Sequence, residues 1–331
     1  MGSPEFDVLA VGDLNVDLVL LGCPWPEAGK ERIAASSSYT LGGSGGIFAC
    51  NLAALGARVA LAARIGADAP GRFLLEELGA AGVDVSGVRV SPELKTGISV
   101  VLALSGQEQK ALLTHRGAME RLSEGDVPDE LLRRARHLHV TSYYMLPALR
   151  GGCARLLARA RAAGLSTSLD TNDDPDECWD GDLPEVLRHT DIFFPNRREA
   201  LSIAGRLAGQ PGSGGGDRPA DLGRAAKRLT GYCRMAAVKA DLDGALLVAE
   251  GGRTRLQVPA LPVQFVEATG AGDSFDAGFL IRYLGGAPLD DCLRFANACG
   301  ALAVSAAGGT AAFREPGARE RLSKLAASAQ V

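Results

Sequence analysis

Short apolar runs alternate with Ala- and Leu-rich helical stretches along most of this chain, and that rhythm dictates its fold class. Residues 7–12 form an apolar run closed by Gly12, the pattern of a strand buried on both faces. Residues 45–56 read as a helix stopped by Gly56, residues 59–65 as a strand and residues 71–82 as a helix. The rhythm resumes with strands over 137–142, 165–170 and 191–195. Helices over 150–163, 183–188, 197–204 and 221–229 separate and follow them. Strands over 235–239 and 245–249 precede two closing helices, about 271–284 and 289–306. Strands alternating with helices predict a doubly wound α/β fold, with a mostly parallel sheet and helices on both faces. Residues 96–103 and 107–114 break the pattern. The first is β-branched and apolar, the second continues as a strand after a polar turn at Gly106, and no helix lies between them, so they predict a hairpin inserted into the α/β frame.

Composition narrows the function. A hydrophobic fraction of 47% over 331 residues supports one large core. The net charge of −4, with no basic patch interleaved with aromatics, excludes a phosphate-backbone binder. No apolar run reaches membrane-spanning length and no signal peptide is recognised, so a cytoplasmic protein is expected. The seven Cys are odd in number and lack C-x-x-C spacing, which suits reduced, mostly buried thiols. His137 and His139 fall on one face of a strand without a partner at metal spacing, so a structural role is expected. Residues 1–6 read as a vector-derived tag ahead of the first strand, and residues 7–331 as the folded domain. Residues 209–217 read as a surface loop, since no strand feeds this Gly-rich stretch.

The strongest chemical motif is Glu267-Ala-Thr-Gly-Ala-Gly-Asp-Ser-Phe-Asp-Ala-Gly-Phe279, which opens a helix. Gly270 and Gly272 allow close backbone approach. The first-turn N–H groups of Ala271, Gly272 and Asp273 would face an anion. Asp273 is expected to stay ionised there, stabilised by N–H donors and the helix dipole, and to accept a hydroxyl proton as a general base. An Asp that only caps the helix is the alternative.

This segment resembles the C-terminal signature of the ribokinase-like, or PfkB, family of carbohydrate kinases. Four further segments agree in order and spacing. Gly12-Asp-Leu-Asn-Val-Asp17 resembles the first-strand motif that binds sugar hydroxyls through Asn15 and Asp17. Leu41-Gly-Gly-Ser-Gly-Gly46 resembles the N-terminal signature, which implies substrate contacts from Gly42, Gly43 and Ser44. Pro195-Asn-Arg-Arg-Glu199 resembles the Asn-x-x-Glu motif, implying that Asn196 and Glu199 organise Mg²⁺ and the phosphates, Glu199 through water. The same pattern is a helix capping box. Phe295-Ala-Asn-Ala298 resembles the late helix beside the adenine. With the loop from Lys239 to Gly244, this implies a nucleotide site of Asn196, Lys239, Gly244, Thr269, Gly270, Gly272 and Asn297.

The resemblance implies ATP-dependent transfer of a phosphoryl group to a sugar hydroxyl in one domain. A small β-lid over about 14–41 and 95–115 is expected to close over the sugar. ATP and Mg²⁺ are implied, and K⁺ activation and a homodimer through the lid are admitted. The sequence departs from the family at four places. Ile47 replaces an Asn, Ser44 stands where ribokinases proper carry Lys, Glu267 replaces an Asp, and Asp241 replaces a usual Gly. The first two weaken a ribose assignment. Two alternatives stay open at this point. One is a nucleoside kinase with Tyr39, Phe48, Tyr143 or Tyr144 stacking on the base. The other is a non-catalytic sugar- or nucleotide-binding regulator.

Overall fold

The computed structural model describes residues 4–104, 110–209 and 219–328. Among the described residues, thirteen strands divide into two sheets. The larger holds β1 (Phe6–Val11), β4 (Val59–Gly66), β5 (Asp84–Ser91), β8 (Ala135–Val140), β9 (Ser166–Leu169), β10 (Ile192–Phe193), β11 (Met235–Lys239), β12 (Ala245–Ala249) and β13 (Thr254–Val258). Their order is β13-β12-β11-β10-β9-β8-β1-β4-β5. The run from β5 to β11 is parallel, and β12 and β13 add an antiparallel edge. The smaller sheet holds β2 (Asn15–Cys23), β3 (Ser36–Gly42), β6 (Gly97–Leu104) and β7 (Lys110–His115), in the order β3-β2-β6-β7.

Strand β1 explains its own sequence. Leu9 and Val11 point into one apolar core, Val8 and Ala10 into the other, and all four are fully buried. A strand covered on both faces cannot alternate polar with apolar. One face carries helices such as Cys153–Ala162 and Arg197–Leu207. The other carries Ser44–Ala54 and Ala271–Leu284.

Three features depart from the sequence reading. Phe6 belongs to β1: it is buried, and its N–H reaches the Arg134 carbonyl at 2.9 Å. Its apolar ring continues the strand beyond the tag boundary. The helix expected over 150–163 is two, Pro147–Arg150 and Cys153–Ala162, broken at Gly151 and Gly152. A Cβ on Gly152 would lie 2.7 Å from the Glu124 side chain, so the break lets two segments approach closely. Strands β5 and β13 are additional. Both are half-exposed, with polar residues that hide the strand pattern. The Gly106 turn and most of the 209–217 loop lie outside the described residues.

His137 and His139 are structural, as expected. His137 bonds Ser166 and Ser168, and His139 bonds Ser168, each at 2.7 Å. Burial holds both imidazoles neutral, His139 at about 3. Cys178 is exposed and the other six cysteines are buried. No described helix is long and apolar enough to cross a membrane.

Candidate active site

The carboxyl ends of the parallel strands converge on one cleft of about 1170 Å³. Open α/β sheets place ligands there because loops, not helices, leave those ends. Asp13 follows β1, Asn172 follows β9, Asn196 follows β10, and Lys239 ends β11. The smaller sheet covers the opening with Ser99, Val101 and Thr114.

Asp273 sits in the first turn of Ala271–Leu284 and is only 8% exposed. Gly270 caps this helix at φ 76°, a left-handed conformation that glycine adopts without strain. The N–H of Ala271 donates to the Ala268 carbonyl at 3.3 Å, so it is not open to a ligand as expected. Among the described residues, no hydrogen bond uses the N–H of Gly272 or Asp273. Two backbone donors therefore remain beside the carboxylate.

The sequence reading expected Asp273 to stay ionised. Instead its pKa is raised to about 8. Burial is the largest cause, the charges of Asp170 and Asp13 add to it, and Lys239 and a hydrogen bond from Ser44 oppose it. Desolvation outweighs the helix dipole because it acts on the whole charge, while the dipole acts as about half a charge.

Behind Asp273 lies a buried charge cluster. Lys239 Nζ meets Asp170 Oδ2 at 2.7 Å and Asp276 Oδ1 at 3.5 Å. Burial would discharge Lys239, but Asp170, Asp276 and Glu199 outweigh it and keep the ammonium charged. Burial also raises Asp170, yet Lys239 and a bond from Asp276 bring its pKa below the usual value. Asp276 goes the other way: burial lifts it well above the carboxylate range, so it holds a proton toward Asp170.

The acceptor side is built on β2. Asn15 and Asp17 are two residues apart and share a face. Asn15 Nδ2 donates to Asp17 Oδ1 at 2.7 Å and to Ser99 Oγ at 3.1 Å. Gly42 does not line the cleft. It pairs with Asn15 across the sheet, and a Cβ there would collide with the Asp17 carboxylate at 2.2 Å. Gly43, at φ 82°, lies against Asp13 and Asn15. Ser44 accepts from Asn172 Nδ2 at 2.6 Å and so links the acceptor side to Asp273.

Asn196 and Glu199 form a complete capping box for Arg197–Leu207. Both Glu199 oxygens accept from Asn196, its N–H at 2.8 Å and its Nδ2 at 2.5 Å. Burial, aided by Asp170, raises Glu199 to about 8. Gly244 and Asn297 line the far end. Asn297 donates to the Pro259 carbonyl at 2.8 Å. Thr269 lines the cleft, and its hydroxyl donates to Glu267.

The departures have structural reasons. Asp241 has φ 50°, a left-handed position that favours Gly and that Asp tolerates. Ile47 packs against Gly270 and Gly309, lining the cleft with a methyl surface. Asn51, one turn later, ties Ser274 Oγ and the Gly309 carbonyl together at 2.9 Å each, behind the Gly270 turn. Sequence reasoning did not single out Asp13, Asp170, Asn172 or Asp276. Asp13 and Asp276 stand inside quoted motifs. Nothing local marks Asp170, whose partner Lys239 is 69 residues away.

A model of the pfkB family carbohydrate kinases matches residues 5–316. The chain belongs to this family. As a PfkB carbohydrate kinase it is similar to an ATP-dependent ribose-1-phosphate kinase of Halopiger xanaduensis. The two are 30% identical over 92% of this chain and 94% of that protein. A cytidine kinase of Thermococcus kodakarensis is 26% identical over 87% of this chain and 92% of its own length. The structure of Arabidopsis thaliana ribokinase complexed with ribose and ATP has a TM-score of 0.81 and 26% identity, covering 98% of this chain and 99% of that one.

The Gly270 turn gives the PfkB kinase a test of its own. A Cβ on Gly270 would lie 2.7 Å from Gly309 Cα, whereas one on Gly272 meets the Lys239 side chain at ordinary contact distance, its Nζ nearest at 3.4 Å. Gly270→Ala is expected to cost about 1–3 kcal/mol of stability. Gly272→Ala should keep the wild-type melting temperature and impair turnover. Thermal melts read alongside ADP release separate the two.

Proposed function

We propose that this kinase transfers the γ-phosphoryl group of ATP to a hydroxyl of a small sugar, with Asp273 as the base. One observation carries the reading. A buried carboxylate stands beside two unengaged backbone N–H groups, in the same cleft as Asn15 and Asp17. Asn15 and Asp17 would hold sugar hydroxyls. The attacking hydroxyl gives its proton to ionised Asp273 while its oxygen bonds the γ-phosphorus. The bond to the β–γ bridging oxygen breaks and ADP leaves. The N–H groups of Gly272 and Asp273 take up charge on the transferred group.

Leu261, Val263, Phe265 and Val304 give the far end apolar walls that suit an adenine. The oxygen donors of Asp170, Asn196 and Glu199 suit hydrated Mg²⁺, which supplies charge neutralisation at the phosphates when bound. Glu199 would act through water, since both its oxygens already accept from Asn196. The smaller sheet would act as the lid that keeps water out. The reading favours a sugar over a nucleoside, because Tyr39, Phe48, Tyr143 and Tyr144 are all absent from the cleft lining.

Mass spectrometry of acceptors incubated with Mg-ATP tests this. A sugar gaining one phosphoryl group is the expected product. Phosphorylated nucleosides with every sugar unchanged would overturn the choice of acceptor.

A further inference from the structure

Among the described residues lining the cleft, only Lys239 and Arg116 carry permanent positive charge. Lys239 is committed to Asp170 and Asp276. Arg116 has no hydrogen bond or ion pair with any described residue, although the cleft is rich in carboxylates. Its position is defined by the smaller sheet. Asp17 pairs with Ser99, and Ser99 with Thr114, so those three form one row across β2, β6 and β7. Asn15 pairs with Gly97, and continuing the register past His115 puts Arg116 level with Gly97. A Cβ on Gly97 would lie 2.8 Å from the Arg116 carbonyl oxygen and 3.1 Å from Asn15 Cβ. Asn15, Gly97 and Arg116 therefore form the adjacent row on the same face, and its middle member has no side chain. Two strand spacings, about 10 Å, separate the backbones of Asn15 and Arg116.

Asn15 and Asp17 present groups suited to neutral hydroxyls. A guanidinium offers five donors and no acceptor, in a fork that matches a phosphate or a carboxylate. We propose that the acceptor is an anionic sugar, whose phosphate or carboxylate is bound by Arg116 while Asn15 and Asp17 hold its hydroxyls. This deepens the sugar-kinase reading and rests on it. Arg116 acts here as a specificity residue, distant from the transferred phosphoryl group.

The test compares kcat/KM for ribose, ribose 1-phosphate, ribose 5-phosphate, gluconate and glucose, in wild type, Arg116→Leu and Arg116→Lys. The expected result is an anionic acceptor preferred over its neutral parent. In Arg116→Leu the ratio of anionic to neutral kcat/KM should fall by about 10- to 100-fold, the range for a hydrogen bond to a charged group. Arg116→Lys should keep part of that ratio. The ratio is insensitive to the folded fraction, so a poorly folding variant still reports. Preference for a sugar phosphate or for a sugar acid identifies the anion. Neutral sugars turned over as well as anionic ones, with the ratio unmoved in Arg116→Leu, would overturn the proposal and leave the kinase reading standing. No turnover with any acceptor would overturn both.

Discussion

Asp273→Asn is expected to give a folded protein whose kcat/KM is lower by about 10²–10⁴-fold, the usual contribution of a positioned base. Asn keeps the shape of the side chain but cannot take a proton. Wild-type kcat/KM should rise with pH through an apparent value near 8, because burial holds Asp273 protonated below it. The variant should lose that rise. Stability should move the opposite way. An unfolded Asp ionises near 3.8, whereas folded Asp273 holds its proton to about 8. Between those values the native state binds more protons than the unfolded state, so wild-type stability falls as pH rises. Asp273→Asn removes this penalty, and its melting temperature should exceed that of wild type by more at pH ~8.5 than at pH ~6. A variant less stable than wild type at the higher pH would contradict the burial argument.

Lys239→Met is expected to cost about 3–5 kcal/mol of stability, the penalty for leaving a buried ion without its partner. Asp170 is 4% exposed and Lys239 13%, so water from the cleft replaces little of what the ammonium supplies. Asp276→Asn should be much milder, since Asp276 already holds a proton and an amide can still donate toward Asp170. Asp170→Asn placed on Lys239→Met should restore part of the loss by removing the stranded charge. Denaturant unfolding of the three variants measures this. Equal costs for Lys239→Met and Asp276→Asn would show that the charge is not confined as described.

The parallel sheet is legible in the sequence because its strands are buried on both faces, and such strands read as unbroken apolar runs. Strands β1, β4 and β11 show this. Edge strands β5 and β13 are not legible because their outer faces meet water and carry Arg, Ser and Gln. The Gly270–Asp273 turn announces itself through its glycines, since a left-handed cap before a helix requires them. Its electrostatics do not. The raised pKa of Asp273 comes first from its burial and then from the charges of Asp170 and Asp13, which are brought to it from strands far apart in sequence. The capping role of Glu199 follows from spacing alone, but its burial does not. The open guanidinium of Arg116 is invisible without the register of β6 and β7.

The most direct measurement is ADP release from Mg-ATP by wild type, with and without a panel of pentoses, hexoses, sugar phosphates, sugar acids and nucleosides. Little release without acceptor, strong stimulation by one sugar, and loss of that stimulation in Asp273→Asn are the predicted results. ADP release that is the same with and without every acceptor, or stimulation that survives Asp273→Asn intact, would contradict the assignment of Asp273 as the base of a sugar kinase.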